Sequence, residues 1–439
     1  MYTGSRHFPQ QGTRSRHQDK HVWQEVRKGP AEGQSQGSQP EPKKEPLDAQ
    51  SKLLLAVNGL FGVGNALSGT FVNVYLWKSR GDFTLIGWFT LVHYFTMALT
   101  FWLAGKWVKE HNKMNCLRAG VTISAVFYLL VLLFGERAAD NFVLLGAVQG
   151  MSAGFFWLAF NVVYFEVTEP GNRDRFNGWA GLLGSGAGML APWISGFLIT
   201  RMESATGYRL IFTISLVVFL IGAAVSFFLK KRETTGTYEW GLSWRCLRNK
   251  ETAWRKVVLA LMAQGVREGV FGFMIALLVY VHTGNEMKLG NYSLISSAVA
   301  LVFFMLAGRY LKPHRRGRAM LIGASAMVLL ILPFFWQVSF TTLLLFGIGV
   351  AMFFPLYSIP MTTLVFDLIG KDEESAKRRE EYIVLRELSL NAGRLLGTGA
   401  FILVVSTTSS PLAMNWLLLA IGSSPLFAYY FMRKAVVTA

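Results

Sequence analysis

The chain has 439 residues, 52% of them hydrophobic and 16% charged, with 34 Phe, 13 Trp and a mean hydropathy of +0.36. That composition excludes a water-soluble globular domain, which needs more charge to cover its surface. The net charge of +17 is scattered over separate loops and tails, so it reads as a bias toward anionic lipid and argues against nucleic acid as a partner.

Residues 1–50 are rich in Gln, Gly, Ser, Pro and charge and hold few large apolar residues, the composition of a disordered tail. It has no signal-peptide core, so the first apolar run is expected to act as its own insertion signal. Twelve apolar runs follow, each of roughly 20 residues, the length that spans a hydrocarbon core. They lie at 53–77, 84–104, 115–134, 141–166, 177–200, 208–229, 256–281, 290–308, 319–336, 341–366, 383–405 and 412–432. Their length and uniform apolarity rule out barrel strands, so the expected class is an all-α membrane protein with twelve transmembrane helices.

Lys and Arg set the orientation, because short basic loops resist translocation. With the N-terminus in the cytoplasm, 35 of the 43 Lys and Arg fall in cytoplasmic segments and 6 in outer ones, while Arg267 and Arg394 lie inside runs. Both termini are therefore expected in the cytoplasm, in a multi-pass protein of the cell membrane. Cys116 and Cys246 fall on this reducing side, where neither a disulfide nor a metal site is expected.

The stretch AGKWVKEHNK (104–113) closes the second run, and AGRYLKPHRR (307–316) closes the eighth, 203 residues later. Upstream, IGWFTL (86–91) aligns with LGNYSL (289–294) at the same offset. Six runs separate the copies. An even number means that the halves face the same way, as a parallel repeat about an axis along the membrane normal. The expected organisation is a tail (1–50), a six-helix bundle (51–229), a cytoplasmic linker (230–255) and a second six-helix bundle (256–439). In the linker Trp240, Trp244 and Trp254 alternate with Arg and Lys, which suits either an interfacial helix or a solvated loop.

With twelve runs in two parallel halves, and a glycine followed by basic residues after runs two and eight, the sequence resembles the major facilitator superfamily of secondary transporters. The resemblance covers all twelve runs. It implies that Gly105, Gly308, Lys113 and Arg316 belong to the basic turns of a cytoplasmic gate. Where the family carries an acid four residues after the glycine, this chain has Lys109 and Lys312, with Glu110 beside the first. Glu166 and Asp367 end runs four and ten and are candidate replacements, pairing with the basic turns in one conformation and releasing them in the other. Plain topogenic charge is the alternative. In run five Ala187, Ala191, Pro192, Ser195 and Gly196 resemble a motif of the family's exchangers, although small residues at that spacing equally serve close helix packing.

Charged side chains near the bilayer centre are costly, so those that persist face a cavity or a partner. In run seven Arg267 and Glu268 lie about 16 to 18 Å deep, and in run eleven Arg394 lies roughly 16 Å deep, at a rise of 1.5 Å per residue. Gln264, Glu268 and Phe271 share one helix face, as do Glu387, Asn391, Arg394 and Thr398. At similar depth the first half offers uncharged polar residues, Asn65, His93 and Gln149. Two Arg against one Glu leave an excess positive charge that suits a carboxylate, phosphate or sulfate, so Arg267, Arg394, Gln264, Asn391, Asn65 and His93 are candidate substrate contacts. A Glu268–Arg394 salt bridge that holds runs seven and eleven together is the competing reading. Glu268 is the candidate proton carrier. Trp157, Asn161 and Tyr164 form a stripe in run four that suits packing or a pathway, and Pro355 and Pro360 in run ten permit bending.

The resemblance implies a secondary active transporter that moves a small-molecule solute by alternating access, driven by protons or by exchange. It would work as a monomer among membrane lipids, without a cofactor. A lipid or glycolipid flippase, or a receptor on a transporter-like fold, is the alternative. The runs show no phosphate-binding Gly-Lys-Ser/Thr loop, nucleophile elbow, paired carboxylates or metal-ligand cluster, so no catalytic residue and no metal ligand is assigned and an enzyme is not expected.

Overall fold

The computed structural model describes residues 46–168, 172–202, 204–231, 236–248, 253–370 and 373–438. Every regular element among them is helical, and 12 helical segments are long and apolar enough to cross a membrane. In the first half these are α1 (Ala49–Arg80), α2 (Phe83–Glu110), α3 (Lys113–Phe134), α4 (Phe142–Val167), α5 (Arg173–Arg201) and α6 (Ser204–Ser226). A short linker helix, Leu242–Arg248, precedes the second half. There follow α7 (Ala253–Thr283), α8 (Glu286–Tyr310), α9 (Arg316–Leu329), α10 (Phe340–Ile369), α11 (Arg379–Thr407) and α12 (Pro411–Gly422), continued after Ser423 by α13 (Ser424–Thr438) as one crossing.

Residues 1–45 of the expected tail lie outside the described residues, but Leu47 is buried and Asp48 caps α1, its carboxylate accepting from the Ser51 N–H at 2.8 Å. An aspartate there satisfies one of the first-turn amides that the helix itself leaves unpaired. In the linker helix Leu242 and Cys246 are buried while Trp244 is exposed, and Trp240 packs its ring edge-on against Trp102 of α2.

The repeat is written into the turns. Gly81 ends α1 with φ of 63° and donates its N–H to the Trp77 carbonyl, and Asp82 then caps α2 by accepting from the Thr84 N–H. At the same 203-residue offset, Gly284 ends α7 with φ of 58° and Asn285 caps α8 by accepting from Lys288. Glycine enters this left-handed region without a side-chain clash, which is why each two-residue reversal starts with one. α10 runs unbroken through Pro355 and Pro360.

Helices α1 to α6 pack among themselves, as do α7 to α13, and the groups meet chiefly along two helix pairs, α2 with α11 and α5 with α8. The end of the molecule that carries the α2–α3 and α8–α9 turns is here termed the basic face. The α2–α11 contact runs the full length: a Cβ on Gly87 would lie 2.7 Å from Ile402, and one on Gly105, at the basic face, 2.9 Å from Val384. By contrast, α5 and α8 touch over their far halves, where Ser297 donates to the Gly188 carbonyl at 3.2 Å and Gly290 lies against Pro192. Toward the basic face they diverge. Cβ atoms on Gly178, Gly181 and Gly184 would meet nothing within 4 Å, and Phe304, Met305 and Leu306 of α8 are exposed. The small residues of α5 thus serve close packing: Ala187, Ala191 and Ser195 are buried, and a Cβ on Gly196 would stand 2.5 Å from the Glu286 carbonyl.

Candidate functional site

The centre of the molecule is set by glycines. Gly265 and Gly269 on α7 face Gly393 and Gly397 on α11, four residues apart on each helix, and the backbones approach so closely that a Cβ on Gly269 would lie 2.5 Å from the Arg394 carbonyl. Cβ atoms on the other three would strike main-chain carbonyls of the facing helix. Such small-xxx-small spacing lets helices in a bilayer pack without a hydrophobic drive between them. Its consequence is to set Glu268 beside Arg394. The Arg394 Nη2 donates to Glu268 Oε2 at 2.8 Å and Nε donates at 3.2 Å, while Gln264 donates to Oε1 at 2.7 Å. Asn391 accepts from Arg394 at 3.1 Å, and Thr398 donates to the Gly269 carbonyl at 3.0 Å.

This ion pair forms one wall of a 390 Å³ cavity whose other walls come from the first half. Asn65 of α1, His93 and Tyr94 of α2, and Gln149 and Trp157 of α4 line it. The Arg394 guanidinium sits 5.5 Å from the Tyr94 ring centroid, and the buried His93 Nδ1 has no hydrogen-bond partner among the described residues. A carboxylate, a guanidinium, an imidazole and two amides therefore converge on one cavity.

Each end of the molecule carries a charged clasp between the halves. At the basic face Lys109, 6% exposed, reaches from α2 to the first turn of α11 and donates to Glu381 at 2.6 and 2.7 Å and to the Lys377 carbonyl at 3.0 Å. Glu380 lies 3.8 Å from Lys109 and 3.7 Å from Lys113, which also pairs with Glu166. Acids in a helix's first turn are favoured by its dipole, which is why α11 presents Glu380 and Glu381 here. The linker joins in: the Glu239 N–H donates to Glu381 at 3.2 Å, and Tyr238 covers Gly105. Burial, and then the charge of Glu381, push the Tyr238 phenol up from its ordinary pKa, so it stays neutral. At the far face Lys78 of α1 pairs with Glu286 of α8 at 3.0 Å, Tyr208 donates to the same carboxylate at 3.2 Å, and Glu286 is buried.

The structure gathers Glu268, Arg394, Gln264, Asn391, Asn65 and His93 around one space, with Gln264 and Asn391 backing the ion pair. Arg267 goes elsewhere. It lines a separate 380 Å³ cavity among α7, α8 and α10, which meets the first cavity at Glu268, so the two arginines at one depth do not share a chamber. Of the expected gate, Gly105, Lys109, Lys113 and Glu166 meet in the basic-face clasp. The second copy does not form one: Gly308, Lys312 and Asp367 are exposed, and among the described residues Lys312, Arg316 and Asp367 have no ion-pair partner. The physical reason is the divergence of α5 from α8 toward that face, which leaves that turn without an ion-pair partner among the described residues. Missed in the sequence were Glu380 and Glu381, written as an acidic pair at the head of run eleven, and Lys78 with Glu286, which flank the two Gly turns.

Comparison with known proteins agrees with this architecture. The family model described as Major Facilitator Superfamily matches residues 54–398. "Uncharacterized protein YqgE" of Bacillus subtilis (strain 168) is 41% identical over 380 residues, 87% of this chain and 88% of its own. Among solved structures, a D-xylose-proton symporter superposes with a TM-score of 0.66 at 13% identity over 87% of this chain and 97% of its own. A bacterial homologue of the iron transporter ferroportin, in an outward-facing state with soaked iron, gives 0.61 at 16% identity over 88% and 99%. At these identities the solved structures speak to the fold alone.

Proposed function

The chain belongs to the major facilitator superfamily, and on that premise we propose that it is a secondary active transporter which moves a small solute across the cell membrane by alternating access. The observation that carries the reading is the Glu268–Arg394 ion pair on the wall of an internal cavity, midway between two charged clasps that each bridge the halves. Ions placed so deep are held by a partner, and a clasp at each end gives the two states that such a cycle needs. Opening the Lys109–Glu381 clasp exposes the cavity to the basic face, and opening the Lys78–Glu286 clasp exposes it to the other. By the distribution of Lys and Arg the basic face is cytoplasmic, which sets both termini there.

Glu268 is the coupling group. Protonation removes its charge from Arg394 and frees the guanidinium for an anionic group of the solute, and departure of the solute restores the bridge. One proton and one anion then exchange for a single internal ion pair, so no net charge is left in the low-dielectric interior. His93, Asn65 and Gln149 select among solutes by hydrogen bonding. Reconstituted vesicles with a trapped pH-sensitive dye, screened with carboxylates, phosphate esters, sugars and amines, test the reading. At least one anionic class is expected to change internal pH in the wild type and to have no effect with Glu268→Gln. A proton flux that survives in Glu268→Gln would overturn the coupling role.

A second reading, movement of a lipid-like amphiphile, draws on the gap between α5 and α8 toward the basic face, which opens sideways. Fluorescent-lipid scrambling in the same vesicles decides between them.

A further inference from the structure

We infer that the cavity among α7, α8 and α10 binds the anionic end of an amphipathic organic acid on Arg267. The inference deepens the transport reading and rests on it for the occupant's role as cargo; the binding itself stands apart from transport.

Arg267 is 8% exposed, and among the described residues it has neither an ion-pair partner nor a hydrogen-bond acceptor. Its neighbour Glu268 is already committed to Arg394 and Gln264. The guanidinium lies 4.8 Å from the Phe271 ring centroid, a contact that does not neutralise it. A buried cation without a counter-ion is costly, so the site requires an anion. Other polar groups wait beside it. Ser296 and Tyr292 line the same cavity with their hydroxyls side by side, and the buried Tyr357 hydroxyl, one turn from Phe354 of the cavity wall, has no hydrogen-bond partner among the described residues. Gly347 keeps the space open, since a Cβ there would lie 2.5 Å from the Tyr292 ring and 2.7 Å from Ser296 Oγ.

The walls decide the class of anion. Besides Arg267, Tyr292 and Ser296, and Glu268, whose carboxylate is bonded to Arg394 and Gln264, they include Phe271, Phe346, Val350 and Phe354, around 380 Å³, a volume within the range of small-molecule sites. A chloride ion would leave most of that space empty. Inorganic phosphate would press unpaired oxygens against phenylalanine. A carboxylate or phosphate monoester on an apolar body satisfies both ends, with the oxyanion on the guanidinium fork and the body among the rings.

Thermal unfolding of the full chain in uncharged detergent, titrated with 4-phenylbutyrate, phenyl phosphate, the neutral 4-phenylbutanamide and inorganic phosphate, tests this. The expected result is stabilisation by one or both organic anions and not by the amide or inorganic phosphate. Arg267→Gln should weaken the effect at least about tenfold, Ser296→Ala should weaken it less, and Lys312→Gln, which removes an exposed charge outside both cavities, should not. Without ligand Arg267→Gln should unfold at or above the wild-type temperature, since it removes an uncompensated buried charge. The inference is overturned if the amide or inorganic phosphate acts as well as the organic anions, if no probe stabilises the wild type, if Arg267→Gln binds like the wild type, or if it unfolds at a lower temperature unliganded. None of these outcomes depends on proton flux through Glu268, so failure here and failure of the coupling role are separate results.

Discussion

Glu381→Gln is the sharpest perturbation of the basic-face clasp. Glu381 is 1% exposed and Lys109 6%, and they share contacts of 2.6 and 2.7 Å. Breaking a buried pair by removing one partner costs about 3 to 5 kcal/mol, because the other charge stays buried and uncompensated. Glu380, 3.8 Å from Lys109, offsets part of that, which leaves the low end of the range. About 3 kcal/mol, at 1.4 kcal/mol per factor of ten, shifts the balance between a closed and an open basic face by about 150-fold. The readout is labelling of Met97→Cys, a residue of the central cavity wall, by a membrane-impermeant maleimide added at the basic face, with Cys116 and Cys246 replaced by Ser. Labelling should accelerate by about two orders of magnitude in Glu381→Gln and slow again in the charge swap Lys109→Glu with Glu381→Lys. An unchanged rate in the single variant, or a swap that labels as fast as the single variant, would refute the reasoning.

Glu286→Gln should open the far face and label the same cysteine from that side, with a smaller gain of about tenfold because Lys78 is a third exposed, as scored by the same maleimide. Gly393→Leu would drive a side chain into the Met262 carbonyl of α7, and loss of about 3 kcal/mol or of the folded protein should appear in thermal unfolding. Neutralising Lys312 and Arg316 together should move the unfolding free energy by less than about 0.5 kcal/mol and leave Met97→Cys labelling unchanged, since both lack ion-pair partners among the described residues.

Much of the architecture was legible in the sequence because the bilayer imposes a length and a polarity on each crossing. The repeat was legible too, in the Gly105 and Gly308 turns, and the structure extends it to Gly81 and Gly284. What could not be read was which copy of a repeated element is used. Lys109 and Lys312 occupy equivalent positions, yet one is buried against Glu381 and the other is exposed. That difference arises from how far α5 stands from α8, a tertiary property with no local signature. The midplane charges were legible by depth but not by direction. Arg267 and Glu268 are adjacent in sequence, yet Arg267 lines the second cavity while Glu268 stands where the two cavities meet, and a helix wheel of α7 alone does not show where the partner helices stand. The four glycines that fix those partners look in the sequence like ordinary small-residue spacing.

The central claim is that the two clasps open alternately around the Glu268–Arg394 pair. Paired spin labels test it directly: Glu136→Cys with Thr408→Cys across the far face, and His111→Cys with Lys312→Cys across the basic face, all four exposed positions. In Glu381→Gln the basic-face distance should lengthen while the far-face distance stays short, and Glu286→Gln should give the reverse. Distances that lengthen together at both faces, or that ignore both substitutions, would contradict the account.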